Sequence, residues 1–277
     1  NIYYKMGGGL MQLVAMGAQD VFLTGNPQIT FFKVVYRRHT NFSKECIKQE
    51  FNGSGASLTC TLSRNGDLVQ EIYLHGTSLK DHKNDVTNQV VKTVEVEIGG
   101  QKIDKHYGTW LDIYNELFET NHDYQAAMSD GGTNQEQPEV FIPLRFWFNR
   151  NPGLALPLIA LQYHEVKVLV EMTSGTALGN PDLLVNYVYL DTDERRRFAQ
   201  VSHEYLIEQV QHTGTESVGA SGGSVTLTYN HPVKALFWRG FGTNATYNAK
   251  LQLNGHDRFT EQTNRYFHLV QPYECGL

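Results

Sequence analysis

The most chemically suggestive motif in this 277-residue sequence is the run Gly219-Ala220-Ser221-Gly222-Gly223. It fits the G-x-S-x-G pattern of hydrolase nucleophile elbows, in which a serine stands on a sharp turn between a strand and a helix. Here a polar loop precedes the motif and strand-forming residues follow it. The context therefore predicts a flexible hairpin loop, and Ser221 is not expected to act as a nucleophile.

Histidine and cysteine spacing gives no metal or redox site either. The 11 histidines include no H-x-H and no H-E-x-x-H pattern. Cys46, Cys60 and Cys275 form no C-x-x-C pair, which is typical of a reducing compartment rather than a disulfide framework. We therefore expect no cofactor, no metal and no enzymatic activity.

Three sequons are candidate glycosylation sites, at Asn41, Asn52 and Asn244. They would carry glycans in a secreted protein. A chain made in the cytoplasm would not meet the usual glycosylation machinery, so the sequons are interpreted as chance matches.

The charge distribution argues against direct nucleic-acid binding. The chain holds 23 Lys and Arg against 29 Asp and Glu, a net charge of -6. Three acids directly precede the arginines of Asp191 to Arg197, which favours local ion pairing or a subunit contact. Arg37-Arg38-His39 has no such acids beside it. That run is interpreted as an exposed strand end, with an anionic membrane or an acidic partner subunit as alternatives.

Short segments rich in β-branched and aromatic residues, separated by Gly, Asn, Asp and Pro, predict an all-β fold of antiparallel sheets. Helices are predicted only over Leu10–Gly17 and Thr109–Asn121. The predicted strands are Ile29–Tyr36, Ser57–Leu62, Val69–Leu79, Lys92–Ile98, Val140–Phe148, Tyr163–Glu171, Leu183–Leu190, Tyr205–Gln211, Ser224–Tyr229, Val233–Trp238 and Ala249–Leu253.

A weak internal repeat indicates that one strand pattern occurs twice. Three motifs recur in the same order at offsets of 167, 164 and 155 residues, so the two copies differ in loop length. The third motif is a strand that runs into a two-residue turn ending in Gly. The pairs are Ser57–Thr61 with Ser224–Thr228, Ile72–Gly76 with Leu236–Gly240, and Val96–Gln101 with Leu251–His256.

The repeat predicts tandem antiparallel jelly rolls, a double jelly roll. We place an N-terminal arm at residues 1–20, the first jelly roll at 21–200 and a partial second jelly roll at 201–277. The second copy has about half the strands of the first, so its inner face is expected to lack a covering sheet. The side chains expected to be uncovered are Val225, Leu227, Leu236, Trp238 and Leu253.

Five blocks of sequence resemble the major capsid proteins of nucleocytoplasmic large DNA viruses. The opening block, from Gly17-Ala18-Gln19-Asp20-Val21 through Tyr36-Arg37-Arg38-His39-Thr40-Asn41-Phe42, is a long match. The others extend the resemblance over most of the chain: Ile98–Tyr107, Pro152–Val166, Leu190–Gln209 with a short gap, and the pair Asn254–Phe259 and Val270–Tyr273.

This resemblance implies a structural protein of the virion capsid, assembled in the host cytoplasm. Three copies would form a homotrimer of pseudo-hexagonal outline, which would tile an icosahedral shell around an inner membrane. Its implied partners are itself, neighbouring capsomers and minor capsid proteins, with the inner viral membrane as a further candidate contact. The alternative function is a carbohydrate-binding jelly-roll module, although no D-x-D-x-D-G calcium loop is present.

Overall fold

The computed structural model describes residues 17–18, 25–78, 90–119, 139–174, 178–219, 222–240 and 247–275. The chain divides into two compact units, Asn1–Thr40 and Asn41–Leu277. In the first unit, residues 25–40 contain a turn at 31–33 and neither strand nor helix. The strand predicted over Ile29–Tyr36 is therefore wrong, and the helix predicted over Leu10–Gly17 lies outside the described residues except for Gly17.

The second unit is dominated by two antiparallel sheets. Its elements in chain order are β1 (Phe42–Glu50), β2 (Ser57–Thr61), β3 (Leu68–Ser78), β4 (Val91–Ile98), β5 (Gln101–Tyr107), α1 (Gly108–Phe118), β6 (Glu139–Pro143), α2 (Trp147–Arg150), a 3₁₀ turn (Pro152–Leu154), β7 (Leu156–Pro157), β8 (Val166–Met172), β9 (Leu178–Leu190), α3 (Thr192–Gln200), β10 (Asn248–Ala249), β11 (Gln252–Leu253), β12 (His256–Asp257), β13 (Gln262–Thr263), a π-helical turn (Tyr266–Val270) and α4 (Gln271–Cys275).

The strand order is that of a jelly roll. The first sheet runs β1-β9-β3-β6, with β7 beside β3, and the second runs β2-β8-β4-β5. Successive strands from β1 to β4 alternate between the sheets, and every pair is antiparallel. This arrangement of a five-stranded and a four-stranded layer confirms the predicted all-β jelly roll.

The core lies between the two sheets because each strand buries alternate side chains. In β8, Val166, Val168, Val170 and Met172 are buried while the residues between them are partly exposed. The facing sheet contributes side chains such as Leu74, which is fully buried. One continuous apolar cluster results.

Two hairpin turns confirm the third motif of the internal repeat. Gly99 and Gly100 have φ of 58° and 83° between β4 and β5, and Asn254 and Gly255 have φ of 52° and 80° between β11 and β12. Two consecutive positive φ angles are what a type I′ hairpin turn requires. A Cβ on Gly99 would lie 2.6 Å from Nδ1 of His164, so that position also needs glycine for space.

Most predicted strands form within the jelly roll, whereas in the C-terminal part only Ala249–Leu253 is borne out, as the short strands β10 and β11. No strand forms over Tyr205–Gln211, Ser224–Tyr229 or Val233–Trp238. None of the described segments pairs with these residues, and an isolated strand leaves its backbone groups without a ladder. Strand β1 is present although no strand was expected there, and β6 ends at Pro143, short of the predicted Phe148.

Candidate assembly surface

Residues 203–212, called the connector below, cover the open edge of the second sheet. The Gln209 side chain donates to the Ile103 carbonyl, and the Val210 backbone N–H donates to Asp104 Oδ1 at 3.1 Å. The His212 ring lies 4.6 Å from the Tyr107 ring. Because all three contacts fall on β5, the edge strand, the connector shields backbone groups that another chain could otherwise pair with.

Asp104 holds the connector from inside the sandwich. It pairs with Val96 in β4, so its side chain lies on the core side of the sheet, and that side chain is 1% exposed. Oδ1 also accepts from the Lys105 N–H at 2.9 Å, and Oδ2 lies 2.9 Å from Nε2 of His106. The His106 ring stacks on Phe146 at 4.4 Å. A carboxylate this deeply buried is tolerated only while its donors stay in place, so the connector and the core depend on each other.

The connector has a second point of attachment beside Asp104. Ile207 packs against the core cluster, and Arg150 Nη1 lies 3.1 Å from Glu208 Oε2. Lys234 binds the other oxygen of the same carboxylate. The hydrogen bond from Lys234 and the charge of Arg150 lower the pKa of Glu208 although burial opposes them. Glu208 therefore ties the connector to both α2 and the chain around Lys234.

An aromatic cluster on α1 receives a later part of the chain. Trp110, Tyr114 and Phe118 recur at helical spacing on one face, as the sequence predicts. The Phe237 ring lies 5.2 Å from Trp110 and 6.1 Å from Phe118, and the Arg145 guanidinium lies 5.1 Å from the Tyr114 ring centre. Helix α1 thus contacts both the jelly roll and the C-terminal part.

The C-terminal part carries many exposed apolar side chains, which we call the apolar surface. Leu206 is 89% exposed and Tyr273 86%. Contiguous exposed apolar patches mark protein interfaces, and these side chains are the candidates for one. Among the described residues of this part, the set is Val201, Leu206, Val218, Val225, Leu227, Val233, Trp238, Leu253, Leu269, Val270 and Tyr273. Of the five side chains predicted to be uncovered, four belong to it and Leu236 is half-buried.

The outer face of the second sheet is charged instead of apolar. Lys92 Nζ lies 2.5 Å from a Glu171 oxygen, and Glu95 binds Lys102 at 2.5 Å and Lys105 at 2.7 Å. Burial by itself raises the pKa of Glu95, but the hydrogen bonds from its two lysines outweigh burial and lower it. This face is solvated and paired within the chain.

The outer face of the first sheet holds a buried carboxylate across three strands. Asp182 of β9 accepts from Lys48 of β1 at 2.5 Å and lies 3.0 Å from Nδ1 of His75 on β3. The ring of His75 packs 4.6 Å from Phe141 on β6. The hydrogen bond with Asp182 raises the pKa of Lys48. Together, Lys48, Asp182, His75 and Phe141 link all four main strands of this sheet.

Of the candidate glycosylation and nucleophile residues, the structure describes Asn41 and Asn52. Asn41 and Asn52 are exposed, and Asn52 pairs its backbone with Thr59 at 2.7 and 3.0 Å. Asn244 and Ser221 lie outside the described residues. Within the described ranges, no group of three His, Cys, Asp or Glu side chains could hold a metal ion. No helix there is long and apolar enough to cross a membrane.

The arginine-rich run from Asp191 forms a helix, and one of its arginines pairs outside the run. It forms α3, with Asp191 accepting from the Thr192 N–H and two acids in the first turn, where the helix dipole favours them. Arg195 binds Asp67, a buried residue before β3, at 3.0 Å rather than a neighbouring acid. A capping Asp followed by two acids was the sequence signal for this helix.

Comparison with known proteins finds relatives that match nearly the whole chain. The family model described as "Major capsid protein N-terminus" matches residues 30–191, and "Large eukaryotic DNA virus major capsid protein" matches residues 194–246. The major capsid protein of Pyramimonas orientalis virus is 55% identical over 97% of this chain and 76% of its own length. That of Paramecium bursaria Chlorella virus 1 is 42% identical over 97% and 78%.

A solved structure, "PBCV-1 virus capsid, quasi-atomic model", matches 88% of this chain and 76% of its own, with a TM-score of 0.74 and 37% sequence identity. These matches bear out the predicted double-jelly-roll fold class and the resemblance noted in the sequence, and they give the carbohydrate-binding alternative no support. The chain belongs to the major capsid protein family of large eukaryotic DNA viruses.

Proposed function

We propose that this major capsid protein forms a homotrimer of pseudo-hexagonal outline, and that these trimers tile an icosahedral shell. Minor capsid proteins and an inner viral membrane are its further proposed contacts, and the host cytoplasm its site of assembly. The chain performs no chemical step in this role. The same proposal includes the division of the chain into an N-terminal arm (residues 1–20), a first jelly roll (21–200) and a partial second jelly roll (201–277).

The observation that carries the trimer is the apolar surface. The part of the chain that carries these residues contacts the jelly roll through the connector and through Phe237. Both outer sheet faces hold ion pairs within the chain, so in the second unit the apolar surface has more to gain from burial than these faces. A closed three-fold arrangement would bury it three times with one type of contact.

Native mass spectrometry and electron microscopy of the purified chain test this proposal. We expect trimers with three-fold outline. The double variant Leu206→Asp/Tyr273→Asp places two charges on the apolar surface and should shift the mass to that of a monomer. The control Tyr163→Asp changes a side chain that is 91% exposed in the first jelly roll, and it should stay trimeric. A wild-type monomer, or a double variant that remains trimeric, would contradict the proposed role of this surface.

A further inference from the structure

Residues 29–39, called the basic aromatic segment below, combine exposed apolar and cationic side chains. Phe31 and Phe32 are 94% and 93% exposed, and Ile29 and Tyr36 also face solvent. The cations of the segment are Lys33, Arg37 and Arg38, with His39 at its end, and no Asp or Glu occurs in residues 25–40.

The charge of this segment is opposite to that of the chain as a whole. Residues 25–40 carry +3 while the whole chain carries -6, so the remaining residues carry -9. The lysine and arginines therefore belong to a cationic segment of an acidic protein. Such a segment fits an anionic partner.

The arrangement of the apolar side chains indicates what kind of anionic partner fits. Val34 and Val35 are adjacent in backbone that is neither helix nor turn, and both are exposed, at 68% and 69%. Aromatic and aliphatic side chains beside Lys and Arg match the composition of segments that lie in the interfacial region of a bilayer, where rings sit at headgroup depth and cations meet anionic headgroups.

We infer that the basic aromatic segment binds the surface of a bilayer that contains anionic lipid. Phe31, Phe32 and Tyr36 enter the boundary between headgroups and acyl chains, where aromatic side chains are favoured. Lys33 and Arg37, which flank a shallow groove with Ile29 and Val34, contact anionic headgroups. The inference rests on the proposed function for the presence of a membrane beneath the shell, and it adds the lipid class and the residues.

Vesicle flotation with the full chain tests the inference. We expect the protein to float with vesicles of phosphatidylcholine and phosphatidylserine, to remain behind with phosphatidylcholine alone, and to dissociate as salt is raised. Since each basic side chain near an anionic surface contributes about fivefold to partitioning, Lys33→Gln/Arg37→Gln should weaken binding about 25-fold. The control Arg196→Gln/Arg265→Gln removes the same charge at exposed positions of the second unit and should bind like the wild type.

A second variant separates the apolar contribution. Phe31→Ser/Phe32→Ser should weaken flotation while retaining its dependence on salt. The inference would be overturned if the wild type bound neutral and anionic vesicles equally or bound neither. It would also be overturned if the control Arg196→Gln/Arg265→Gln lost as much binding as Lys33→Gln/Arg37→Gln. A different result would assign the segment to another copy of the chain: the wild type binds no vesicles, and Lys33→Gln/Arg37→Gln lowers the mass of the oligomer. Because trimer formation is read separately by mass, failure here is distinguishable from failure of the proposed function.

Discussion

Replacing Asp104 by Ala should destabilise the jelly roll and release the connector together. The substitution removes the acceptor for the Val210 N–H at 3.1 Å and the carboxylate oxygen 2.9 Å from His106 Nε2. A hydrogen bond to a charged group contributes about 1.5–3 kcal/mol, and leaving a buried polar group without its partner costs about 1–3 kcal/mol. We therefore expect the free energy of unfolding to fall by about 3–5 kcal/mol, since Asp104 and His106 are buried and the Val210 contact is half-buried.

Denaturant unfolding measures the loss, and limited proteolysis locates it. Asp104→Ala should create a new cleavage site within residues 203–212, because the carboxylate that holds Val210 is gone. Asp104→Asn keeps an oxygen for that N–H and serves as the matched control, so its connector should remain resistant. A double-mutant cycle with His106→Ala would give the coupling between the paired side chains. An Asp104→Ala chain within about 1 kcal/mol of the wild type and equally resistant would refute the argument.

Three further expectations concern single contacts and metal. Gly99→Ala should lower the free energy of unfolding by about 2–3 kcal/mol, against about 1–2 kcal/mol for Gly100→Ala. Both glycines have positive φ, but only at Gly99 would an added Cβ meet a neighbour within 4 Å. Equal losses in the two variants would contradict this. Folding lowers the pKa of Glu95, so its contribution to stability is full above its ordinary pKa and is lost as pH falls through the lower folded value. The difference in unfolding free energy between wild type and Glu95→Gln should therefore shrink in acid, and a difference that is constant with pH would exclude the ion pairs as its cause. Treatment with a chelator should leave the melting temperature unchanged in calorimetry, whereas a lower value would reveal a structural ion.

Local patterns in the sequence were sufficient for the elements whose side chains alternate or recur regularly. Strand β8 buries every second residue, and α1 places its aromatic residues at helical spacing, so both follow from periodicity alone. The turns at Gly99-Gly100 and Asn254-Gly255 follow from residues that tolerate positive φ. The resemblance to major capsid proteins was likewise visible in the residues themselves.

Pairing between distant segments decided what the local pattern missed. Residues 29–36 have strong strand propensity but no strand forms there, whereas charged β1 is a strand because β9 pairs with it from Phe42 to Glu50. Strand propensity reflects the fit of side chains to a sheet, so it needs a neighbouring strand to take effect.

The buried polar contacts were also beyond sequence reasoning. Asp104 and Asp182 look like ordinary surface acids in the sequence, yet each is buried and has a donor from a distant part of the chain. Val210 lies 106 residues from Asp104, and Lys48 lies on a different strand from Asp182. Composition and periodicity thus determined the fold class, and the resemblance of whole sequence blocks indicated the family. The tertiary structure alone decided which polar groups hold the connector and the first sheet, because burial depends on the packing of all their neighbours.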